Sequence, residues 1–248
     1  MSASLKVHIY IDNSNLFIQG GKTYSSDSSQ APVSDLSWRY DISLLIDVLT
    51  SYSSLDFDSS TNVAVDTDLY GSTPPPTDIW AAFGKPNIKV HTFSRSTWTG
   101  KEKQVDTRMV ADMTKQAVKD EMTGVKSEFI VVTGDEDLLP AVENINESAF
   151  RAHVWSWKMS FSKAFQPQFD TNGRQVLYVY ELDKYKDKIT YRKTEVRPCD
   201  WGLYCHRNVE CRLFHSPEDL RYFISHGGNK QLRKYAACHY GGCCTNRV

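Results

Sequence analysis

Phe129-Ile-Val-Val-Thr-Gly-Asp-Glu-Asp-Leu-Leu-Pro140 is the stretch on which the reading of the whole chain turns. Residues 129–132 form a short apolar run without polar alternation, the pattern of a strand covered on both faces in a parallel sheet. Thr133-Gly134 breaks it. Asp135 and Asp137 follow, and Leu138, Leu139, Val142 and Ile145 then recur at helical spacing. Two carboxylates thus arrive at the carboxyl end of a central strand, where open α/β sheets bind ligands. Two readings of the pair stand side by side. One Asp can cap the helix while the other sits in its first turn, against the helix dipole. Alternatively both belong to a site, and the rest of the chain supplies its other members.

Upstream, residues 6–11 form an apolar strand that runs into Asp12-Asn-Ser-Asn15, and Leu16, Phe17 and Ile18 open a helix that Gly20-Gly21 stops. Residues 22–37 are Ser-rich and read as a surface insertion. Asp41 caps a helix at 42–52 whose buried stripe is Leu44, Leu45, Val48 and Leu49. Strands are expected at 62–70 and 88–93, with a short helix at 77–83 between them. A polar loop at 94–104 leads to the longest helix, 106–122, with Met109, Val110, Met113, Ala117 and Val118 at helical spacing. Downstream come a helix to 146, a strand at 152–157 carrying Trp155 and Trp157 as core residues, and a strand at 175–182. This alternation predicts an α/β domain over residues 1–183, a parallel sheet flanked by helices in three layers. Residues 184–193 read as a basic connector.

Composition sharpens the division. Residues 1–183 hold 16 Lys and Arg against 24 Asp and Glu, a net of −8, and residues 184–248 hold 13 against 6, a net of +7. An acidic body with a basic tail suggests cation-binding carboxylates in one part and a polyanion partner for the other. All six cysteines lie in the tail, at 199, 205, 211, 238, 243 and 244. The N-terminus has no apolar leader and no run approaches a membrane span of about 20 residues. An intracellular protein, cytoplasmic or nuclear, is expected, in which clustered Cys and His bind metal rather than form disulfides. No Gly-x-Gly-x-x-Gly and no Walker A motif occurs, which argues against dinucleotide and nucleoside triphosphate sites.

In a parallel sheet the strand ends share one rim. Asp12 follows the first strand, Asp106 opens the long helix, and Asp135 and Asp137 follow the central strand. Asp112 lies about 240° around the helix from Asp106 and belongs less securely to the set. Several carboxylates on one rim repel one another unless a cation lies between them. Oxygen ligands without His or Cys suit Mg²⁺ or Mn²⁺, and such a site hydrolyses phosphodiesters. Asn15 is placed to orient a phosphate or a water, or, with Asn13, to cap and turn the chain. Lys103, beside the rim, is a phosphate contact or a solvated loop lysine.

Three stretches in this order, Ile9-Tyr-Ile-Asp12-Asn-Ser-Asn15-Leu, Lys103-Gln-Val-Asp106 with Asp112 beyond it, and Val132-Thr-Gly-Asp135-Glu-Asp137-Leu-Leu-Pro140, resemble the NYN family of PIN-like nucleases. The resemblance covers about residues 5–183. It implies a PIN-like fold and Mg²⁺- or Mn²⁺-dependent cleavage of RNA, endonucleolytic and on single-stranded or looped substrates. Asp12, Asp106, Asp135 and Asp137 match the family's acids, Asn15 its polar partner, and Asp112 a frequent extra acid. Two departures are the long 22–37 insertion and Gln104, where many members have Gly. A non-catalytic RNA-binding regulator is the alternative, and loss of acids would mark it. A haloacid-dehalogenase-like phosphotransferase would need an Asp where Ser14 stands. A topoisomerase-primase-like domain would want Glu at position 12.

Cys199-x5-Cys205-x5-Cys211-x3-His215 supplies four ligands of the kind tetrahedral zinc takes, and the spacing resembles a CCCH finger. With few apolar residues nearby, zinc would supply much of the folding free energy. Trp201 and Arg207 pair a stacking ring with a cation, a combination that holds single-stranded RNA. The Cys238–Cys244 interval repeats that of Cys199–Cys205 and reads as the start of a second finger cut short, or as a small second site with His226 or His239. RNA is the expected partner, with no membrane, for a monomer or a homodimer.

Overall fold

The computed structural model describes residues 4–23, 32–35, 38–56, 62–73, 87–94 and 104–192. All belong to the first of two units of the chain, Met1–Arg192. The expected helix at 77–83, most of the 22–37 insertion, and Lys103 lie outside the described residues, as does the tail with Cys199, Trp201, Cys205, Arg207, Cys211, His215 and residues 238–244.

Six parallel strands make the sheet. They are β1 (Ser4–Asp12), β5 (Asn62–Thr73), β6 (Ile88–Ser94), β7 (Ser127–Val132), β8 (Arg151–Ser156) and β10 (Gln175–Glu181); the short β9 (Gln168–Phe169) joins the β10 edge antiparallel. Their order is β6-β5-β1-β7-β8-β10-β9. From β1 the chain builds outward on one side, then returns to add β7 on the other. The sheet therefore has a switch point between β1 and β7, and the crevice at their carboxyl ends is the place where such sheets bind ligands. Register puts Ile11 beside Val132, so Asp12 and the 133–137 turn leave the sheet side by side.

Alternating side chains cover the two faces. Leu5, Val7, Ile9 and Ile11 of β1 pack with Ile130 and Val132 against Leu16 of α1 (Asn13–Gly20) and Ile42, Leu45, Val48 and Leu49 of α2 (Ile42–Tyr52). Tyr10, Phe129 and Val131 face the other way, onto Met109, Met113 and Ala117 of α3 (Val105–Thr123) and Val142 and Ile145 of α4 (Leu139–Glu147). Each such fully buried aliphatic or Met side chain contributes about 1.5–3 kcal/mol. The expected three layers and the doubly covered β7 are thus present, and Trp155 and Trp157 are buried as expected. Among the described residues no helix is long and apolar enough to cross a membrane.

Three local expectations need correction. Leu44 and Val118 are 47% and 44% exposed; each lies one residue, about 100° of helix, from the buried Leu45 or Ala117. Asp120 takes the next buried place on α3 instead. Its carboxylate accepts from Ser127 Oγ (2.6 Å) and Gln116 Nε2 (2.7 Å) and meets His8 Nε2 at 2.8 Å. Within the insertion, β2 (Lys22–Thr23) pairs antiparallel with β3 (Val33–Ser34). Residues 184–192 are folded rather than a connector. The turn Leu182–Tyr185 and α5 (Lys186–Ile189) bury Leu182 and Ile189, and β11 (Thr190–Arg192) pairs with β4 (Trp38–Tyr40). Two apolar residues inside a lysine-rich run suffice to anchor it.

Gln104 precedes α3 with φ 73°, in the left-handed region, and its side chain makes no cap bond. A Cβ costs about 1–2 kcal/mol there, which explains a preference for glycine at this position. Gln104→Gly is expected to raise stability by about 1 kcal/mol, part of the relief being offset by the freer unfolded chain, and to raise Tm by about 2–4 °C. Thermal unfolding of the full chain checks this; a lower Tm would contradict the strain.

Candidate metal-binding site at the carboxyl rim

Asp135 has extended backbone and caps a 3-10 turn, Glu136–Leu138, its Oδ1 accepting from the Asp137 amide at 3.1 Å. Pro140 at the start of α4 has no N–H to lose there, which suits the passage from turn to helix. The cap geometry leaves Asp135 half-buried and Asp137 exposed, just beyond the carboxyl end of β7. Asp106 lies in the first turn of α3, packed beside that turn through the shared core of Val105, Met109 and Leu138. Asp106, Asp135 and Asp137 each offer an oxygen, and the three lie within 4.8 Å of one another. Asp135 is therefore both the cap of the turn and a member of the site.

Asp12 stands apart from these three. It is 5% exposed, caps α1 by accepting from the Asn15 amide at 3.0 Å, and faces Thr133 Oγ1 across 3.4 Å. Thr133 Oγ1 in turn accepts from the Asp135 amide at 3.1 Å, so one buried hydroxyl joins the acids of β1 and β7. Asn15 Oδ1 accepts from the Gly134 amide at 3.2 Å and ties the helix after β1 to the turn after β7. Asp112 is directed elsewhere: Tyr70 donates to it at 3.0 Å and Arg108 Nε at 2.8 Å.

The turn has a second wall that sequence reading missed. A Cβ at Gly134 would lie 2.2 Å from the Ser160 carbonyl and 2.7 Å from Ser156 Oγ, so no larger residue fits without moving backbone. Ser162 donates its amide to the Gly134 carbonyl (3.1 Å) and its hydroxyl to Glu136 (2.9 Å). Serines in a loop after a strand carry no sequence signal of this role. Thr133-Gly134 had one, in that a polar and a small residue occupy the point where the strand ends.

The donor set fits a hard divalent cation. It consists of carboxylate oxygens alone, with no His or Cys within the group. Oxygens on one Mg²⁺ lie at most about 4.2 Å apart, twice the bond length. The three oxygens, within 4.8 Å of one another, are near enough to share one such ion, directly or through water.

A doubly wound sheet with three acids beyond its switch point is consistent with a PIN-like fold. The NYN domain model matches residues 6–172, from β1 to the segment before β10, and so includes every acid of the rim. The chain belongs to the NYN domain family, whose domains are ribonuclease-type and divalent-metal dependent. No curated protein and no solved structure matches the chain.

Proposed function

We propose that the protein is a Mg²⁺- or Mn²⁺-dependent endoribonuclease acting on single-stranded or looped RNA within the cell. The carrying observation is the convergence of Asp106, Asp135 and Asp137 from α3 and the turn after β7. These residues would hold the cation, directly or through water, with Asp137 the more exposed of the β7 pair. When bound, the cation polarises the scissile phosphate, helps deprotonate the attacking water and stabilises charge on the leaving oxygen. Asp12, Thr133 and Asn15 hold the turn in place from below, which keeps the carboxylates from drifting apart under their own repulsion. Asp12, buried next to this turn, would add negative charge that favours a bound cation. In this reading Asn15 and Lys103 meet substrate phosphates. Hydrolysis adds water across one P–O bond of the RNA backbone, and no protein nucleophile takes part.

Cys199, Cys205, Cys211 and His215 bind one zinc in a CCCH finger, from which Trp201 stacks on a base and Arg207 meets a phosphate. Its role is affinity rather than chemistry. The test is incubation of the full chain with end-labelled single-stranded RNA in Mn²⁺, Mg²⁺ or EDTA, together with elemental analysis for zinc. Internal cleavage that EDTA abolishes, with one equivalent of zinc, is the expected result. RNA binding without metal-dependent cleavage would make the protein a binding regulator and end the nuclease reading.

A further inference from the structure

Asn13 stands between two residues that brace the rim and does the work of neither. Asp12 caps α1, and Asn15 reaches the turn after β7. Asn13 is instead buried, 1% exposed, as the first residue of α1. Its Oδ1 accepts from Tyr40 Oη at 2.5 Å, and among the described residues its Nδ2 has no hydrogen-bond partner. A buried amide that is half satisfied lowers stability, and an apolar side chain of the same size, such as Leu, would fill the place without that loss. Stability therefore does not explain the asparagine.

The amide does give Tyr40 a directional hold on α1. Tyr40 is itself fixed: it is 4% exposed, lies on β4 opposite Thr190 of β11, and packs in the same core as Leu16 of α1. From Asn13 two routes lead to Asp135. Asp12, the preceding residue, meets Thr133 Oγ1, which accepts from the Asp135 amide. Asn15, two residues on, accepts from the amide of Gly134, the neighbour of Asp135. Residues 12, 13 and 15 lie within one turn of helix, so a rotation of that turn moves both contacts at once.

We infer that Asn13 and Tyr40 are positioning residues for the carboxylate rim: their bond sets the orientation of the first turn of α1 and, through Asp12 and Asn15, the place of Asp135. The inference rests on the rim being a divalent-cation site. Groups that orient the ligands of a metal change its affinity by about 10–100-fold when they are lost. The competing role is packing alone, in which case metal affinity follows stability.

Mn²⁺ binding to the full chain separates the two without any RNA. It is read from the loss of the free-Mn²⁺ electron paramagnetic resonance signal, at a temperature where every variant is folded. Asp135→Asn supplies the background from other carboxylates. Tyr40→Phe removes one hydroxyl and leaves the Asn13 oxygen without its donor. It is expected to lower Tm by about 5 °C and to weaken Mn²⁺ binding about tenfold. Tyr40→Phe with Asn13→Leu replaces both partners by apolar groups of like shape. This pair is expected to regain the Tm of the unaltered protein while Mn²⁺ binding stays about tenfold weaker. Ser127→Ala removes a buried hydroxyl that donates to Asp120 at the amino end of β7, and is expected to lower Tm at unchanged Mn²⁺ affinity. Recovery of Mn²⁺ affinity together with Tm in the double variant overturns the inference. So does unaltered affinity in Tyr40→Phe, or an equal loss in Ser127→Ala. Should Tyr40→Phe fail to fold, the double variant decides the matter. If the unaltered protein binds Mn²⁺ no better than Asp135→Asn does, the cation site and this inference fall together. If Mn²⁺ binding depends on these two residues yet no RNA is cut, the nuclease reading falls and this one stands.

Discussion

Asp135→Asn is expected to lower metal-dependent RNA cleavage by about 10³-fold, the scale of losing one fixed electrostatic contact to the transition state. The asparagine retains an oxygen to cap the Glu136–Leu138 turn, so the fold should survive. What is lost is a negative charge within 4.8 Å of Asp106 and Asp137. Single-turnover cleavage across a Mn²⁺ titration is the measurement, with Asp112→Asn as the comparison. Asp112 lies outside the three-carboxylate group, its Oδ2 accepting from both Tyr70 and Arg108, so its removal should cost activity little. Equal effects of the two variants would sink the assignment of the site, and an active Asp135→Asn protein would sink it outright.

Glu128→Ala is expected to destabilise the body by about 3–5 kcal/mol, because it leaves a buried cation without its partner. Glu128 is 2% exposed at the amino end of β7. It accepts from Arg151, from His153 Nε2 at 2.7 Å and from the Asp56 amide at 2.7 Å. The chain of donors runs further. With His153 Nε2 donating to Glu128, Nδ1 is left to accept from Tyr180 Oη (3.2 Å), and Tyr180 accepts from the Ser54 amide at 2.9 Å. The network thus pins the segment after α2 to the amino end of the sheet, opposite the rim. Urea unfolding checks the magnitude. A loss below about 1 kcal/mol, the worth of an exposed ion pair, would show that the group is not isolated from water.

The same groups set the response to acid. Burial pushes the pKa of His153 down, and the bond and charge of Glu128 only partly restore it. Burial likewise lowers His8, against the opposing pull of Asp120. Burial works to raise Glu128, but hydrogen bonds from His153, Arg151 and the Asp56 amide outweigh it and hold the carboxyl below its usual range. For a histidine whose folded pKa is lowered, the unfolded chain binds more protons, so stability falls as pH drops below about 6.5. For the depressed carboxyl the sign is the same, and its loss begins below about 4.5. Stability should therefore decline in two stages on acidification, and His153→Gln should remove part of the first.

The α/β alternation, the doubly covered β7 and the acids at strand ends were legible because each is a local pattern. Periodicity reports which side of an element is apolar, and a strand followed by a small residue and an Asp reports where a rim must be. The same locality hid Asp120, Glu128 and His153, whose burial depends on partners up to 112 residues away in sequence. It also hid the fold of residues 184–192, where Leu182 and Ile189 find their pockets among side chains from β1, α2 and β8.

By itself the chain put Asp12, Asp106, Asp135 and Asp137 at the carboxyl end of a parallel sheet. Tertiary structure alone decided that three of them converge while Asp12 turns to cap α1 and to face Thr133. The reason is geometric. The alternation of strands and helices follows from sequence pattern, but oxygen-to-oxygen distances follow from how α3 seats on β1 and how Ser160 holds Gly134, contacts that no local pattern encodes.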